Sequence, residues 1–229
     1  MFKDLVTDIF FDLDHTLWDF DRNSALTFHK IFSDHGIGVP MDNFLECYIP
    51  INLQLWKLYS KGQILPADLR FKRLKMTFDT LGYDIDDSVI ELLTVKYMDH
   101  LCTFTHLIPN TLSILEYLKP NYRLHIITNG FQEVQDKKLK NAKIRDYFEH
   151  VVDSEMAGAK KPDRRIYEMA LKLARVAPAN ALMIGDNLEA DIIGAREHGL
   201  HALHLNVHGD PPHNYCEIIY DLHEIKSYL

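Results

Sequence analysis

The sequence predicts an α/β protein, with a Rossmann-like, doubly wound parallel sheet as its core and an inserted helical cap. Two observations lead to this fold class. Short apolar runs rich in β-forming residues alternate with amphipathic helical patterns in the second half of the chain, which is typical of βαβ units in a mostly parallel sheet. The first two runs are separated by a long segment with helical periodicity only, and this segment is too long for a single crossover helix.

Five strands are predicted from the apolar runs at 5–11, 123–128, 148–152, 181–185 and 202–206. Helical patterns precede or separate the later strands, at 109–118, 131–142, 162–175 and 188–198. Pro109 and Pro162 suit the first turn of a helix, and Gly199 suits a helix end. The order of these elements predicts a parallel sheet with helices on its faces.

The segment from about 20 to 104 is predicted to be a cap made of helices. Four helical patterns cover 22–36, 42–60, 66–81 and 86–103, and glycine and proline residues separate them. We therefore predict a catalytic core formed by residues 1–17 and 106–229, with a helical cap at 18–105.

The composition narrows the class of partner. The 229-residue chain has a net charge of −8, which argues against a nucleic-acid polymer as ligand. An anionic substrate would need local cations. The three scattered cysteines favour a reducing, cytoplasmic location, and no apolar run of about 18 residues predicts a membrane span. The sequence carries no signal for an oligomeric state.

Polar residues follow four of the predicted strands, where open α/β sheets bind their ligands. Any one of them alone has an ordinary explanation, such as a helix N-cap or a turn. Together they bring carboxylates to one edge of the sheet, where mutual repulsion would raise their pKa values unless a cation is bound. Carboxylate oxygens suit Mg²⁺. The residues concerned are Asp12 and Asp14, then Thr128 and Asn129, then Lys161, and finally Asp186 and Asp191.

These motifs resemble those of the haloacid-dehalogenase-like hydrolase superfamily. The matching set is Asp12-x-Asp14-x-Thr16, Thr128-Asn129-Gly130, Lys161-Pro162 and Gly185-Asp186-x₄-Asp191. The helical insert after the first motif is similar to the C1 cap of that superfamily. Longer stretches of sequence, at 11–21, 127–132, 145–148 and 154–162, resemble the bacterial YjjG-type pyrimidine 5′-nucleotidases.

The resemblance implies a phosphatase mechanism. Asp12 would attack phosphorus as a carboxylate nucleophile, and Asp14 would act as general acid and then general base. The second aspartate marks the phosphatases of the superfamily, since its dehalogenases and phosphonatases lack it. Thr128 and the backbone amide of Asn129 would bind the phosphoryl oxygens, while Lys161 would neutralise their charge.

The resemblance also implies a Mg²⁺ site. A carboxylate oxygen of Asp12, the backbone carbonyl of Asp14 and the carboxylate of Asp186 would be its protein ligands. Asp191 would not ligate the ion and would instead orient Lys161 or a metal-bound water.

The expected substrate is a small phosphomonoester, preferably a pyrimidine nucleoside 5′-monophosphate. A phosphoglycolate or sugar-phosphate phosphatase is the nearest alternative, because the cap, and not the catalytic residues, sets specificity. A phosphoacceptor signalling module is a further alternative, which Asp14 and the cap disfavour. Trp18 and Phe20 are the candidates for substrate contact, whereas Leu55, Trp56 and Tyr59 have the spacing of a cap core.

Two groups of residues are interpreted as structural. The histidines between 198 and 213 predict no zinc site, because His201 and His204 would point to opposite faces of a strand. The run 137–140, Lys-Lys-Leu-Lys, is interpreted as a solvated helix face.

Overall fold

The computed structural model describes residues 2–229. The chain divides into two compact units, one formed by Met1–Phe20 with Thr105–Leu229 and the other by Asp21–Phe104. The first is an α/β unit built on a parallel sheet, which confirms the predicted fold class. Among residues 2–229, no helix has both the length and the apolar character needed to cross a membrane.

Strand β1 (Asp8–Phe11) lies inside the sheet of the first unit, between β2 and β4. The strand order is β3-β2-β1-β4-β5-β6, and all neighbours are parallel. Because the chain builds outward from β1 on one side and then on the other, the strand ends beside β1 are the topological switch point, where open α/β sheets bind their ligands. The strands are β1 (Asp8–Phe11), β2 (Arg123–Thr128), β3 (His150–Asp153), β4 (Ala181–Gly185), β5 (His201–Leu205) and β6 (Glu217–Ile219).

The register aligns the carboxyl ends of the three central strands. Phe11 is paired with Ile126 of β2 and with Ile184 of β4. Every residue of β1 and β4 is buried, as expected of strands covered on both faces. The residues that follow β1, β2 and β4 therefore leave the sheet at the same edge.

Helices cover the faces of the sheet. Helix α8 (Arg164–Ala174) illustrates how the sequence specifies such a helix. Its buried residues recur at helical spacing, from Ile166 and Tyr167 to Ala174. The Asp163 side chain caps its amino end by accepting from the Arg165 amide at 2.9 Å. The helices of this unit are α5 (Thr111–Leu118), α6 (Gln132–Asn141), α7 (Ser154–Ala157), α8 (Arg164–Ala174) and α9 (Gly194–Glu197).

The structure corrects several predicted boundaries. The first strand begins at Asp8, because Leu5 lies in an exposed turn. The helix predicted at 188–198 is instead a π-helical turn, Leu188–Ile193, followed by α9. The Tyr167 hydroxyl donates to the Ala190 carbonyl, which diverts that carbonyl from a regular helix. Strand β6 was not predicted, since its three residues include the exposed Glu217.

The second unit consists of helices, and within 21–104, all of which the structure describes, there is no strand. They are α1 (Phe20–His35), α2 (Met41–Ser60), α3 (Pro66–Thr80) and α4 (Asp87–Leu101). The four predicted helical patterns are thus confirmed to within two residues at each boundary.

An aromatic cluster forms the centre of the helical unit. The Phe28 ring lies 4.8 Å from that of Phe44, 4.7 Å from Tyr48 and 4.6 Å from Tyr97, measured between centroids. The Tyr97 hydroxyl is 2.9 Å from Ser24 Oγ, which satisfies it in the interior. Tyr59 is buried as well, so this part of the aromatic pattern belongs to the core of the helical unit.

We expect Phe28→Ala to destabilise residues 21–104 by about 3–5 kcal/mol, because it removes the ring on which three others pack. Hydrogen exchange of peptides from this range measures the change. Leu53→Ala is the control, since Leu53 is 65% exposed and its loss should cost less than about 0.5 kcal/mol. Equal effects of the two substitutions would contradict the assignment of Phe28 to the core.

Candidate active site

Asp12 and Asp14 lie in the loop that follows β1. The Asp12 amide donates to the Ile184 carbonyl at 2.9 Å, which continues the β1–β4 ladder by one residue. Asp12 is 8% exposed, so its carboxylate is held at the sheet edge with limited access to solvent. The two residues are separated by the fully buried Leu13.

The Lys161 ammonium joins Asp12 to Asp191. It donates to Asp12 Oδ1 and to Asp191 Oδ1, both at 2.6 Å, and to the Ile127 carbonyl at 2.7 Å. These three bonds use all of its donors. Lys161 would therefore have to exchange one of them in order to bind a phosphoryl oxygen directly.

Asn129 fixes the backbone of Lys161. Its side-chain oxygen accepts from the Lys161 amide at 2.7 Å, and its side-chain nitrogen donates to the Lys161 carbonyl at 2.9 Å. The loop after β2 thus holds the loop after β3. The predicted phosphate-binding role of Asn129 concerns its backbone amide, while its side chain has this structural function.

The Asp191 carboxylate bonds to protein donors through both oxygens. Oδ1 accepts from Lys161, and Oδ2 accepts from the Asn187 amide at 3.0 Å. A Cβ atom at Gly185 would overlap this carboxylate, so the close approach of Asp191 to β4 requires glycine. These contacts suit the predicted orienting role better than a role as a direct metal ligand.

Asp186 has two partners that the predicted site did not include. Thr16 Oγ1 donates to Asp186 Oδ1 at 3.0 Å, and His208 Nε2 lies 2.8 Å from Oδ2. In the sequence, Thr16 stands out only as part of the first motif, and His208 only as one of the histidines between 198 and 213. His204 is buried and hydrogen-bonded, to the Asp186 carbonyl and to His213.

The three buried carboxylates at this edge perturb one another. Burial raises the pKa of Asp12 well above its usual range, and Asp191 and Asp186 raise it further against the opposing effect of Lys161. Burial also raises the pKa of Asp191, with Lys161 opposing it. Burial raises the pKa of Asp186 too, but His208, His15 and Thr16 outweigh this and lower it overall.

The donor set fits a hard divalent cation. One carboxylate oxygen from each of Asp12, Asp186 and Asp191 lies within 4.8 Å of the others. Three carboxylates against one ammonium leave an excess of negative charge in a buried place, which a bound cation would offset. All-oxygen ligands are those that Mg²⁺ prefers.

Thr128 ends β2 with its hydroxyl at the same edge. Thr128 Oγ1 accepts from the Gly130 amide at 3.1 Å and from Gln135 Nε2 at 2.7 Å, which leaves its own proton to be donated. Helix α6 begins at Gln132, one residue after the predicted start. The amino end of this helix follows the Thr128–Gly130 turn directly, as an anion site requires.

The interpretation of the 137–140 run as a solvated helix face is wrong for Lys138. Its side chain is 2% exposed, and its Nζ lies 2.5 Å from Asp14 Oδ1 and 4.3 Å from the centroid of the Trp18 ring. Gln135, one helical turn earlier, donates to Asp14 Oδ2 at 3.1 Å. The buried stripe of α6 at 134, 135, 138 and 139 carries both residues, and this spacing was the available signal.

The two candidates for substrate contact are both buried. Trp18 is fully buried, and Phe20 is 8% exposed. Lys138 Nζ also lies 5.4 Å from the centroid of the Phe20 ring. Both aromatic residues thus surround the lysine that holds Asp14.

This fold and site define an α/β protein whose acidic residues stand at the carboxyl ends of parallel strands. The model of the haloacid dehalogenase-like hydrolases matches residues 9–205, and the chain belongs to this family. It is therefore an enzyme of the hydrolase class.

Relatives in this family include named phosphatases. The chain is 31% identical to pyrimidine 5′-nucleotidase YjjG of Escherichia coli over 96% of both chains. It is 32% identical to a glyceraldehyde 3-phosphate phosphatase of Pyrococcus abyssi, over 86% of this chain and 79% of that protein. The crystal structure of the putative hydrolase YfnB of Bacillus subtilis, bound to magnesium, is similar with a TM-score of 0.87, 26% identity and 98% coverage of both chains.

We expect Mg²⁺ to raise the melting temperature, because it relieves carboxylate repulsion in the folded state only. At a concentration of 100 times its Kd, the ion would add about 2.7 kcal/mol to the free energy of unfolding. For a chain of this size, each kcal/mol raises the melting temperature by roughly 2–4 °C. Thermal unfolding with and without Mg²⁺ measures the shift. Asp186→Asn should abolish most of it, and Asp99→Asn, at a half-exposed position, should not. A shift that survives Asp186→Asn unchanged would exclude Asp186 as a ligand.

Proposed function

We propose that this hydrolase is a Mg²⁺-dependent phosphomonoesterase that acts through a phosphoryl group on Asp12, with pyrimidine nucleoside 5′-monophosphates as preferred substrates. The single observation that supports it most is the Lys161 linkage, which holds Asp12 beside Asp191 at 2.6 Å contacts. Asp14, two residues later, lies on the same loop with both carboxylate oxygens bonded. A nucleophile and an acid–base group are thus available on one short loop.

In the proposed first step, a carboxylate oxygen of Asp12 attacks phosphorus and the ester oxygen leaves. Asp14, protonated, gives that oxygen its proton, so that an alcohol departs. Thr128 and the backbone amides after it bind the phosphoryl oxygens. Lys161 balances the charge that develops beside Asp12, where positioning and electrostatics account for most of the rate.

In the proposed second step, water replaces the leaving group. Asp14, now ionised, takes a proton from the water as it attacks phosphorus, and the bond between phosphorus and Asp12 breaks. Inorganic phosphate leaves with Asp12 restored as a carboxylate. Lys138 and Gln135 hold Asp14 in place for both proton transfers.

Asp12, Asp186 and the backbone carbonyl of Asp14 are the proposed protein ligands of Mg²⁺. When bound, the ion supplies a positive charge that lets two anions, carboxylate and phosphate, approach each other. Asp191 orients Lys161 beside it.

The substrate assignment rests on relatives. The relative named pyrimidine 5′-nucleotidase matches nearly the whole chain. Trp18 and Phe20 are both buried, so their exposure supports neither of them as a substrate contact. A sugar-phosphate substrate is the second candidate, supported by the relative named glyceraldehyde 3-phosphate phosphatase.

A cytoplasmic site of action is part of the proposal, in keeping with three free cysteines.

A panel of phosphomonoesters, assayed with Mg²⁺ and with EDTA, tests the function. We expect UMP and dTMP to give higher kcat/KM than phosphoglycolate and glyceraldehyde 3-phosphate, with no turnover in EDTA. Asp12→Asn should abolish turnover of every substrate. A preference for the sugar phosphates would overturn the substrate class alone, whereas an active Asp12→Asn variant would overturn the mechanism.

We expect Lys138→Met to lower kcat by roughly 10–100-fold, because Asp14 loses its buried charge partner and with it a defined position. Lys140→Met is the control, since Lys140 lies on the same helix at 63% side-chain exposure. Steady-state assays with a nucleotide substrate measure both. Similar kcat values for the two variants would show that Lys138 does not position Asp14.

A further inference from the structure

A second group of metal-ligating residues lies away from the catalytic edge, where β2 meets the edge strand β3. His125 and His150 are register partners in these strands, and Glu149 directly precedes His150. One ligand atom from each of the three residues lies within 4.8 Å of the other two. His125 precedes Thr128 by three residues, so the group lies roughly 10 Å along the strand from the catalytic edge.

His125 is prepared as a ligand by the residues around it. Its Nε2 lies 2.9 Å from Asp8 Oδ1, and the other oxygen of Asp8 accepts from Arg123 at 2.8 Å and from Thr7 at 2.6 Å. Because an ionised carboxylate only accepts, Nε2 carries the proton and Nδ1 carries the lone pair. Metal-binding histidines have this arrangement, in which the second ring nitrogen donates to a carboxylate.

The Nδ1 atom of His125 has no other use in the fold. It is buried, and within residues 2–229 no group forms a hydrogen bond with it. A buried acceptor without a partner is unfavourable. The imidazole packs on the Phe10 ring at 4.8 Å and lies parallel to the His150 ring at 5.3 Å, measured between centroids, and the bond to Asp8 fixes its orientation.

The residue types and their charge suit a divalent transition-metal ion. Glu149 adds one negative charge at an exposed position. Two imidazoles with one carboxylate are a known zinc ligand set that leaves a fourth position for water.

We propose that His125, Glu149 and His150 bind a zinc-type divalent ion that ties the edge strand β3 to β2. A tetrahedral ion needs ligand atoms about 3.4 Å apart. Because an imidazole binds a metal in the plane of its ring, half-buried His150 must rotate out of its parallel stack on His125. Rotation of the exposed Glu149 side chain closes the remaining distance. Buried His125 stays fixed by Asp8. The site takes nitrogen ligands, which separates it from the all-oxygen catalytic edge.

Titration of the full chain with ZnCl₂, in saturating Mg²⁺ to occupy the catalytic edge, tests the proposal by calorimetry. One zinc-binding event should weaken at least about 100-fold in His150→Gln and in Glu149→Gln, because loss of an outer partner alone costs about 10–100-fold. Cobalt binding, followed by its visible absorption, should be lost in the same variants.

His201→Gln is the matched control, since His201 also begins a strand of this sheet and its Nε2 lies 3.0 Å from the Ala179 carbonyl oxygen. It should bind zinc as the unaltered chain does. Circular dichroism checks that Glu149→Gln, at an exposed position, is folded. Unchanged zinc affinity in Glu149→Gln and His150→Gln, or no zinc binding by the unaltered chain in Mg²⁺, would overturn the site.

Discussion

The buried ammonium of Lys161 is the interaction on which the catalytic edge depends. It is the only cation bonded to Asp12 and Asp191 among the contacts described for residues 2–229. Removing one partner of a buried ion pair costs about 3–5 kcal/mol, because an uncompensated charge is left behind. Loss of Lys161 would leave the buried carboxylates of Asp12 and Asp191 without this cation. The fold therefore anchors Lys161 at its backbone, through the side chain of Asn129, as well as at its charge.

Asp14 is held by an independent set of contacts. Its partners, Lys138 and Gln135, both come from α6, while Asp12 depends on loops that follow β3 and β4. Gln135 also bonds to Thr128, so the proposed acid–base group and the proposed phosphate-binding hydroxyl share one support. In this arrangement the proposed nucleophile and the proposed proton donor can be perturbed separately, although only Leu13 lies between them.

The sequence predicts those parts of the fold that depend on local pattern. The strands at 123–128 and 181–185 coincide with the prediction because both are short, mostly buried runs rich in apolar residues. Helical spacing places Lys138 on the buried stripe of α6, but its partners Asp14 and Trp18 lie more than a hundred residues earlier and could not be predicted from local pattern. The same holds for His208, which reaches Asp186 across a loop. The π-helical turn depends on Tyr167, a residue of another helix.

The most direct test of the central claim is to trap the phosphoryl group on the enzyme. Asp14→Asn, treated with ³²P-labelled p-nitrophenyl phosphate and Mg²⁺, should accumulate an adduct, because this leaving group needs no acid while the attacking water lacks its base. The account predicts label on the peptide that contains Asp12, removable with hydroxylamine. Label on any other residue, or release of nitrophenol with no labelled enzyme at any time, would contradict it.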